Sequence, residues 1–323
     1  MSATDLALPA VHVLAVAKPS PALALRLNAC FTLHPLDAAT LPAIAAQIRG
    51  IFVGGESQVS AELINQLPAL EIISVMGVGY DGIDVQAAKA RGVMVSHTPD
   101  VLNDDVADLA IGLMLSAARQ LPAADRFVRA GQWPQGAMPL AHKVSGARLG
   151  IVGMGRIGQA IAQRALGFNM VVAYTARSAK PDLPWAYFAS ATALAAESDF
   201  LVVVTPGGAA TRKLIDGRVL AALGQGSAGH GILVNVARGS VVDEAALIDA
   251  LERGVIGGAG LDVFENEPHV PERLRALPQV VLSPHIGSAT GPTRQAMADL
   301  AFDNLRLVLS GQPARTPVPE CAE

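Results

Sequence analysis

RLGIV (148–152), which runs directly into GMGRIG (153–158), is the stretch that decides the fold of this chain. The apolar residues predict a strand, and IAQRALGF (161–168) continues as an amphipathic helix. In such a unit the first glycine permits a tight turn, the second lets a pyrophosphate approach the backbone, and the third lets the helix pack on the strand. The stretch therefore predicts a dinucleotide-binding unit.

The second strand of this unit, within MVVAYTARSAK (170–180), indicates which dinucleotide binds. A site for NAD usually carries an acidic residue about 20 residues after the glycines, where it bonds the ribose 2′-hydroxyl. No acidic residue occurs between Gly153 and Pro181, and Arg177 stands near the expected place. A guanidinium suits a 2′-phosphate, so we predict NADP(H) in preference to NAD(H). The alternative is that Arg177 is a solvated surface charge.

The composition excludes several classes of protein. The chain has 323 residues, 51% of them hydrophobic and 16% charged, which favours two folded domains over disorder. A net charge of −4 offers no basic field, so we expect no nucleic-acid partner. No apolar run is long enough to span a membrane, so we expect no membrane association.

The N-terminal segment and the two cysteines favour a cytoplasmic protein. The first 20 residues have no basic residue before Lys18 and include Asp5, which argues against a signal peptide. Cys30 and Cys321 are far apart in sequence and have no metal or redox spacing. We therefore expect reduced thiols and no metal site.

Strands and helices alternate along the chain, which predicts parallel sheets. The first group of strands is VHVLAVA (11–17), GIFVGG (50–55), EIISVMG (71–77) and VMVSH (93–97), with helices over 21–29 and 60–67. A long helix over 101–120 leads into the second group, which comprises RLGIV, MVVAY (170–174), DFLVVVT (199–205), GILVNVA (231–237), GGAGLDV (257–263) and VVLSP (280–284). A helix over 292–311 is predicted to return to the first domain, and the last twelve residues to form an extended tail.

The predicted fold is α/β, with two doubly wound Rossmann-like parallel-sheet domains and an active-site cleft between them. Residues 1–99 and 291–323 would form a discontinuous substrate-binding domain, and residues 100–290 the dinucleotide-binding domain. Ligands in such sheets bind at the carboxyl ends of the strands.

Three charged side chains follow predicted strands of the dinucleotide-binding domain: Arg238, Glu267 and His285. A guanidinium can clamp and polarise a keto acid, and an imidazole can donate a proton near neutral pH. A carboxylate beside the imidazole would raise its pKa. His269 is the local rival of His285, and Arg238 and Glu267 taken singly could be ordinary surface charges.

The motifs GMGRIG, NVARGSVVDEAAL, LDVFENEP and SPHIGSAT resemble, in this order, those of the D-isomer-specific 2-hydroxyacid dehydrogenase family. TPDVLNDDVADLAIGLML (98–115) and AYTARS (173–178) resemble segments of its glyoxylate/hydroxypyruvate and hydroxyphenylpyruvate reductase branch. The resemblance implies that Arg238, Glu267 and His285 are catalytic. VMGVGYDGID (75–84) resembles the substrate loop, which implies that the backbone N–H groups of Val78 and Gly79 hold the substrate carboxylate, with Arg238 and His285 also binding substrate. Cofactor contacts are implied for Met154, Gly155, Arg156, Ile157, Ala176, Arg177, Ser178, Thr205, Pro206, Val236, Ala237, Asp262 and Gly287. Members of the family are usually dimers, so we expect a homodimer.

The expected function is an NADPH-preferring reduction of small 2-ketoacids, glyoxylate and hydroxypyruvate, to D-2-hydroxyacids, with His285 as proton donor. One alternative is an aromatic 2-oxoacid (hydroxyphenylpyruvate) reductase, because the sequence does not show which side chains line the pocket. A formate dehydrogenase is less favoured, since that relative has an amide at the position of Glu267. A non-catalytic dinucleotide-sensing scaffold would not need the three charged residues. TPGGAATRKLID (205–216) departs from the branch, which more often has a Leu-Thr-Pro-Glu-Thr-like sequence there.

Overall fold

The structure is a computed structural model that describes residues 11–225 and 231–322. Residues 1–10, which contribute to the prediction that the chain has no signal peptide, lie outside the described residues. The chain divides into two compact units: one extends to Leu102 and resumes at Thr290, and the other is Asn103–Ala289.

The first unit is built on a five-stranded parallel sheet with the order β2-β1-β3-β4-β5. Its strands are β1 His12–Ala15, β2 Thr32–Pro35, β3 Ile48–Gly54, β4 Ile72–Met76 and β5 Met94–Ser96. Its helices are α1 Pro21–Cys30, α2 Leu41–Ile44, α3 Ala61–Gln66, α4 Val85–Ala90 and α12 Gly291–Leu309, with 3₁₀ turns at Ala45–Gln47 and Pro319–Cys321. This strand order is a doubly wound arrangement.

Local sequence explains where the helices of the first unit begin. Ser20 and Ser60 accept hydrogen bonds from the N–H groups of Leu23 and Leu63, which caps α1 and α3 as Ser side chains commonly do. The C-terminal helix α12 packs on β3 and β4 and belongs to this unit. The fully buried Ser74 Oγ donates to the carbonyl oxygen of Ala301 at 2.8 Å, so the contact includes a satisfied polar group.

The last part of the C-terminal tail is not extended, so the prediction of an extended tail was wrong there. Ser96 and Pro317 form an antiparallel bridge, and the N–H of Val318 donates to the carbonyl of Val95 at 2.9 Å. Val318 is fully buried, and Pro319–Cys321 forms a 3₁₀ turn. An apolar side chain between prolines therefore anchors the tail on the edge strand.

The second unit is built on a seven-stranded parallel sheet with the order β12-β11-β10-β9-β6-β7-β8. Its strands are β6 Arg148–Val152, β7 Val171–Thr175, β8 Ala186–Tyr187, β9 Phe200–Val203, β10 Ile232–Asn235, β11 Gly258–Leu261 and β12 Val280–Leu282. Its helices are α5 Asn103–Ala118, α6 Leu121–Arg129, α7 Arg156–Leu166, α8 Ala191–Ala196, α9 Gly217–Gly224, α10 Glu244–Glu252 and α11 Glu272–Arg275, with 3₁₀ turns at Trp133–Gln135, Ala209–Thr211 and Gly239–Val241. The order reverses between β6 and β9, the switch point near which such sheets bind ligands.

The long helix α5 belongs to the second unit. It packs on α7 and on β10 and β11. Asp104 and Asp108, in its first turns, both form ion pairs with Arg164 of α7. The two predicted parallel α/β sheets are thus confirmed.

Candidate active site

The turn after β6 is shaped to admit a pyrophosphate. Gly153 has φ +104°, and a Cβ there would lie 2.9 Å from the backbone of Val204 and Thr205. A Cβ at Gly158 would overlap the carbonyl oxygen of Gly153. At Gly155, the N-cap of α7, an added Cβ would meet no atom within 4 Å. The space before this helix N-terminus is open, so the described residues fit an anionic dinucleotide there.

The loop after β7 carries the residues predicted to hold a 2′-phosphate. Ala176 is half-buried, whereas Arg177 and Ser178 are exposed. The buried Tyr174 fixes this loop, because its hydroxyl accepts from the N–H of Lys180 at 2.6 Å. Sequence reasoning had treated Tyr174 only as a strand residue.

Asn235 organises the loop after β10 and was missed from the sequence. This side chain is buried; its Oδ1 accepts from the N–H of Ala237 at 3.0 Å, and its Nδ2 donates to the carbonyl of Arg238 at 3.1 Å. Arg238 is half-buried, and its Nη1 donates to the carbonyl of Ala237 at 2.8 Å. An amide at a strand end is a signal that could have been recognised, because it can satisfy backbone groups of a tight turn.

Close backbone packing joins the Arg238 loop to the loop that carries Glu267. A Cβ at Gly239 would overlap the backbone of Phe264 and Glu265, so only glycine allows the two loops to approach in this way. The largely buried Glu244 accepts from the N–H of Glu265 at 3.2 Å. The strand-end loops that carry Arg238 and Glu267 are therefore packed directly against each other.

Glu267 and His285 are brought into contact. His285 Nδ1 lies 2.8 Å from Glu267 Oε2, and Glu267 Oε1 accepts from the N–H of Phe264 at 2.8 Å. About a quarter of each of the two side chains is exposed, 26% for His285 and 23% for Glu267. Burial raises the pKa of the Glu267 carboxyl, but the hydrogen bonds from His285 and Phe264 and the charges of His285 and Arg238 outweigh it, so this pKa lies below its usual value.

Asp262 fixes the loop that contains His285 through hydrogen bonds to its carboxylate. Its carboxylate accepts from Ser283 Oγ at 2.7 Å and from the N–H groups of Ile286 and Gly287 at 2.8 Å each. Asp262 is 2% exposed, so these bonds are shielded from water. His285 itself has φ +52°, a conformation that a non-glycine residue adopts only when its surroundings hold it there.

The remaining predicted residues lie at the same strand ends or in the other unit. Among the cofactor candidates of the second unit, Met154, Val236, Ala237 and Gly287 are buried, Ile157 and Thr205 are half-buried, and Arg156 and Pro206 are exposed. Val78 and Gly79 are half-buried in the loop after β4 of the first unit. His269, the rival of His285, is exposed.

Comparison with known proteins decides the family. Residues 111–287 match the family model described as "D-isomer specific 2-hydroxyacid dehydrogenase, NAD binding domain". The chain belongs to the D-isomer-specific 2-hydroxyacid dehydrogenase family. The resemblance stated from the motifs is therefore confirmed.

Its relatives cover most of its length. A glyoxylate/hydroxypyruvate reductase A of Arabidopsis thaliana is 49% identical over 84% of this chain and 85% of that protein. A hydroxyphenylpyruvate reductase of Plectranthus scutellarioides is 48% identical over 85% of this chain and 86% of its own length. Among solved structures, an NADPH-dependent glyoxylate/hydroxypyruvate reductase from Sinorhizobium meliloti, in complex with NADP and malonate, is 44% identical with a TM-score of 0.90, covering 97% of this chain and 98% of that one.

None of the helices that the structure describes has the length and apolar character needed to cross a bilayer.

Proposed function

We propose that this chain is an NADPH-preferring reductase of small 2-ketoacids, chiefly glyoxylate and hydroxypyruvate, which it converts to D-2-hydroxyacids. The contact of 2.8 Å between His285 Nδ1 and Glu267 Oε2 carries the proposal. It supplies a positioned proton donor in loops that follow strands of the same parallel sheet as the glycine turn and Arg238.

The proposed chemistry assigns one task to each charged group. The nicotinamide, when bound, supplies a hydride to the carbonyl carbon. Because Glu267 engages Nδ1 of His285, Nε2 is the nitrogen that delivers a proton to the carbonyl oxygen as the C=O bond becomes C–O. The carboxylate stabilises the imidazolium until that transfer. Arg238 binds the substrate and polarises its carbonyl. The family resemblance assigns the backbone N–H groups of Val78 and Gly79 to the substrate carboxylate.

The cofactor preference follows from the loop after β7. Arg177 is exposed at the place where a ribose 2′-substituent is expected, and the sequence there lacks the acid that an NAD site usually carries. The Sinorhizobium meliloti relative is named as NADPH-dependent and holds NADP. Both observations support NADPH over NADH, and steady-state kinetics with the two cofactors test the preference directly. Equal or better catalytic efficiency with NADH would contradict it.

The decisive experiment follows NADPH oxidation with a panel of 2-ketoacids for the wild type, His285→Gln and His269→Gln. His269→Gln is the matched control, since His269 is an exposed histidine of the neighbouring loop. We expect His285→Gln to lower kcat by about 10²–10⁴, the scale of general acid catalysis, and His269→Gln to leave it unchanged. A His285→Gln enzyme with wild-type turnover would remove the proposed role. A wild type that binds NADPH but reduces no 2-ketoacid would instead indicate a sensing scaffold.

A second candidate substrate is hydroxyphenylpyruvate. The relative from Plectranthus scutellarioides, 48% identical, is named as a reductase of that compound. The same panel separates the candidates: a kcat/KM for hydroxyphenylpyruvate above those for glyoxylate and hydroxypyruvate would make the aromatic acid the preferred substrate.

We also propose that the protein is a homodimer. The segment from Leu121 to Leu140 exposes several apolar side chains: Leu121 is 51% exposed, Trp133 67% and Leu140 99%. Exposed apolar surface of this kind often marks a protein–protein contact. Sedimentation equilibrium of the wild type and of Leu140→Asp tests this, with a dimeric wild type expected.

A cytoplasmic location and the absence of nucleic-acid partners stay predictions; cell fractionation and a filter-binding assay test them.

A further inference from the structure

The loop after β4 is held at its carbonyl groups by residues that follow β5. The N–H of Thr98 donates to the carbonyl of Gly77 at 2.8 Å. One residue later in the loop, and one residue earlier in the segment after β5, His97 Nδ1 lies 3.0 Å from the carbonyl oxygen of Val78. A carbonyl oxygen only accepts, so Nδ1 of His97 carries the proton and donates it. Hydrogen bonds from the segment after β5 thus fix two consecutive peptide groups of the loop.

Fixing the carbonyl of Val78 also fixes the N–H of Gly79. These two groups belong to one planar trans peptide unit, in which C=O and N–H point in opposite directions. The hydrogen bond from His97 therefore sets the direction of the Gly79 N–H. It also polarises the amide, which strengthens that N–H as a donor.

His97 is itself tied to the C-terminal tail. Its N–H donates to the carbonyl of Thr316 at 3.1 Å, and Thr316 Oγ1 donates to the carbonyl of His97 at 2.6 Å. The fully buried Asn304 of α12 places this tail: its Nδ2 donates to Thr316 Oγ1 at 2.8 Å, and its Oδ1 accepts from the N–H of Arg315 at 2.8 Å. The tail thus restrains the backbone of His97.

Tyr80 provides a second link between the loop and the tail. Its ring packs edge-on against the ring of His97, with centroids 5.3 Å apart. Its hydroxyl donates to Glu320 Oε2 at 3.1 Å. The side chain of His97 is therefore held in place by the loop that it orients.

We propose that His97 is a positioning residue for the substrate carboxylate, acting through the Val78 carbonyl to aim the N–H of Gly79. The inference rests on the proposed function, in which that N–H binds the carboxylate. His97 acts through the peptide unit and needs no contact with the substrate. Because the carboxylate is bound in both the ground state and the transition state, loss of the donor should raise KM more than it lowers kcat.

Two variants isolate the donor. His97→Phe keeps a planar ring against Tyr80 but has no N–H, whereas His97→Asn places a side-chain N–H as many bonds from the backbone as Nδ1. We expect His97→Phe to raise the KM for glyoxylate and the Ki of oxamate, an unreactive 2-oxoacid isostere, about 3–10-fold, the effect of one hydrogen bond. Its kcat should change less than about twofold, and His97→Asn should return both constants toward wild type. Should His97→Phe fail to fold, His97→Leu removes the donor with a smaller side chain.

Thermal unfolding and NADPH binding by fluorescence accompany these measurements, and both should match the wild type. Wild-type KM and Ki in the donor-free variant would overturn the inference, as would an equal rise in both variants. The proposed function fails by a different result, namely a wild type that reduces no 2-ketoacid. Oxamate binding to the wild type and to His97→Phe tests the positioning role even then.

Discussion

The contact between Glu267 and His285 makes a quantitative prediction about pH. Reduction needs a protonated imidazole, so kcat/KM is expected to be constant at low pH and to fall as pH rises through the apparent pKa of the pair. The carboxylate of Glu267 favours the imidazolium and so holds this apparent pKa up. Glu267→Gln keeps the shape and a hydrogen-bond acceptor but removes the charge, and the apparent pKa should fall.

The structure gives the size of the shift. Two unit charges 2.8 Å apart attract by about 1.5 kcal/mol at the dielectric constant of water, which is roughly one pKa unit. Both side chains are about three-quarters buried, so the effective dielectric constant is lower and the attraction larger. Opposite charges at this range shift pKa values by about 1–3 units. We therefore expect the apparent pKa of reduction to drop by about 1–3 units in Glu267→Gln.

The assay is the pH profile of kcat/KM for glyoxylate at saturating NADPH. Glu265→Gln is the matched control, because Glu265 lies two residues away and faces Arg212 at 3.7 Å rather than His285. Its profile should match the wild type. Glu267→Gln should recover activity in acid, and its oxidation of the hydroxyacid should extend to lower pH. A Glu267→Gln profile that is parallel to the wild type, merely scaled down, would refute this electrostatic account.

Three further predictions concern Arg177, the glycines of the turn after β6, and the buried carboxyl of Glu244. Arg177→Ser should raise the KM for NADPH about 10–150-fold, the worth of a hydrogen bond between charged groups, with little change for NADH in steady-state kinetics. Gly158→Ala should lower the free energy of unfolding by about 1–3 kcal/mol in urea titrations, because the added Cβ would overlap the carbonyl of Gly153. In Gly155→Ala the added Cβ meets no atom within 4 Å, so this variant should keep the wild-type stability but bind NADPH more weakly. Burial raises the pKa of Glu244, so ionisation of this carboxyl destabilises the fold as pH rises above about 4.5; the stability of Glu244→Gln relative to wild type should therefore increase as pH rises above that value, and a difference that does not change with pH would contradict the sign.

Helices and strands were predictable wherever several residues form a recognisable hydrophobic pattern. All six strands predicted for the second unit are present, because buried parallel strands read as continuous apolar runs. β8 was missed because its two residues, Ala186 and Tyr187, show no period. β2 was missed because its pattern is half-exposed and ends in Pro35, which favours a loop in a sequence reading.

The site was predictable only in its chemistry-bearing residues. Strand ends of one parallel sheet meet at one edge, so Arg238, Glu267 and His285 could be grouped without coordinates. The residues that fix them could not. Asn235, as an amide at a strand end, could have been recognised as a residue that bonds a turn, but the sequence does not show that its partner is the carbonyl of Arg238. In the substrate loop, likewise, neither residue type nor spacing reveals that His97 reaches the carbonyl of Val78.

Asp262 shows why the supporting groups matter as much as the reacting ones. The resemblance assigned this residue to the cofactor, yet three of the roughly four acceptor sites of its carboxylate are taken by the loop that carries His285. The left-handed conformation of His285 costs about 1–2 kcal/mol. Hydrogen bonds to a buried carboxylate contribute about 1.5–3 kcal/mol each, so the three together outweigh that cost. The proton donor is therefore held in a conformation that its own backbone disfavours: the carboxylate of Asp262, at the end of the adjacent strand, fixes the backbone of its loop, and Glu267 holds the imidazole.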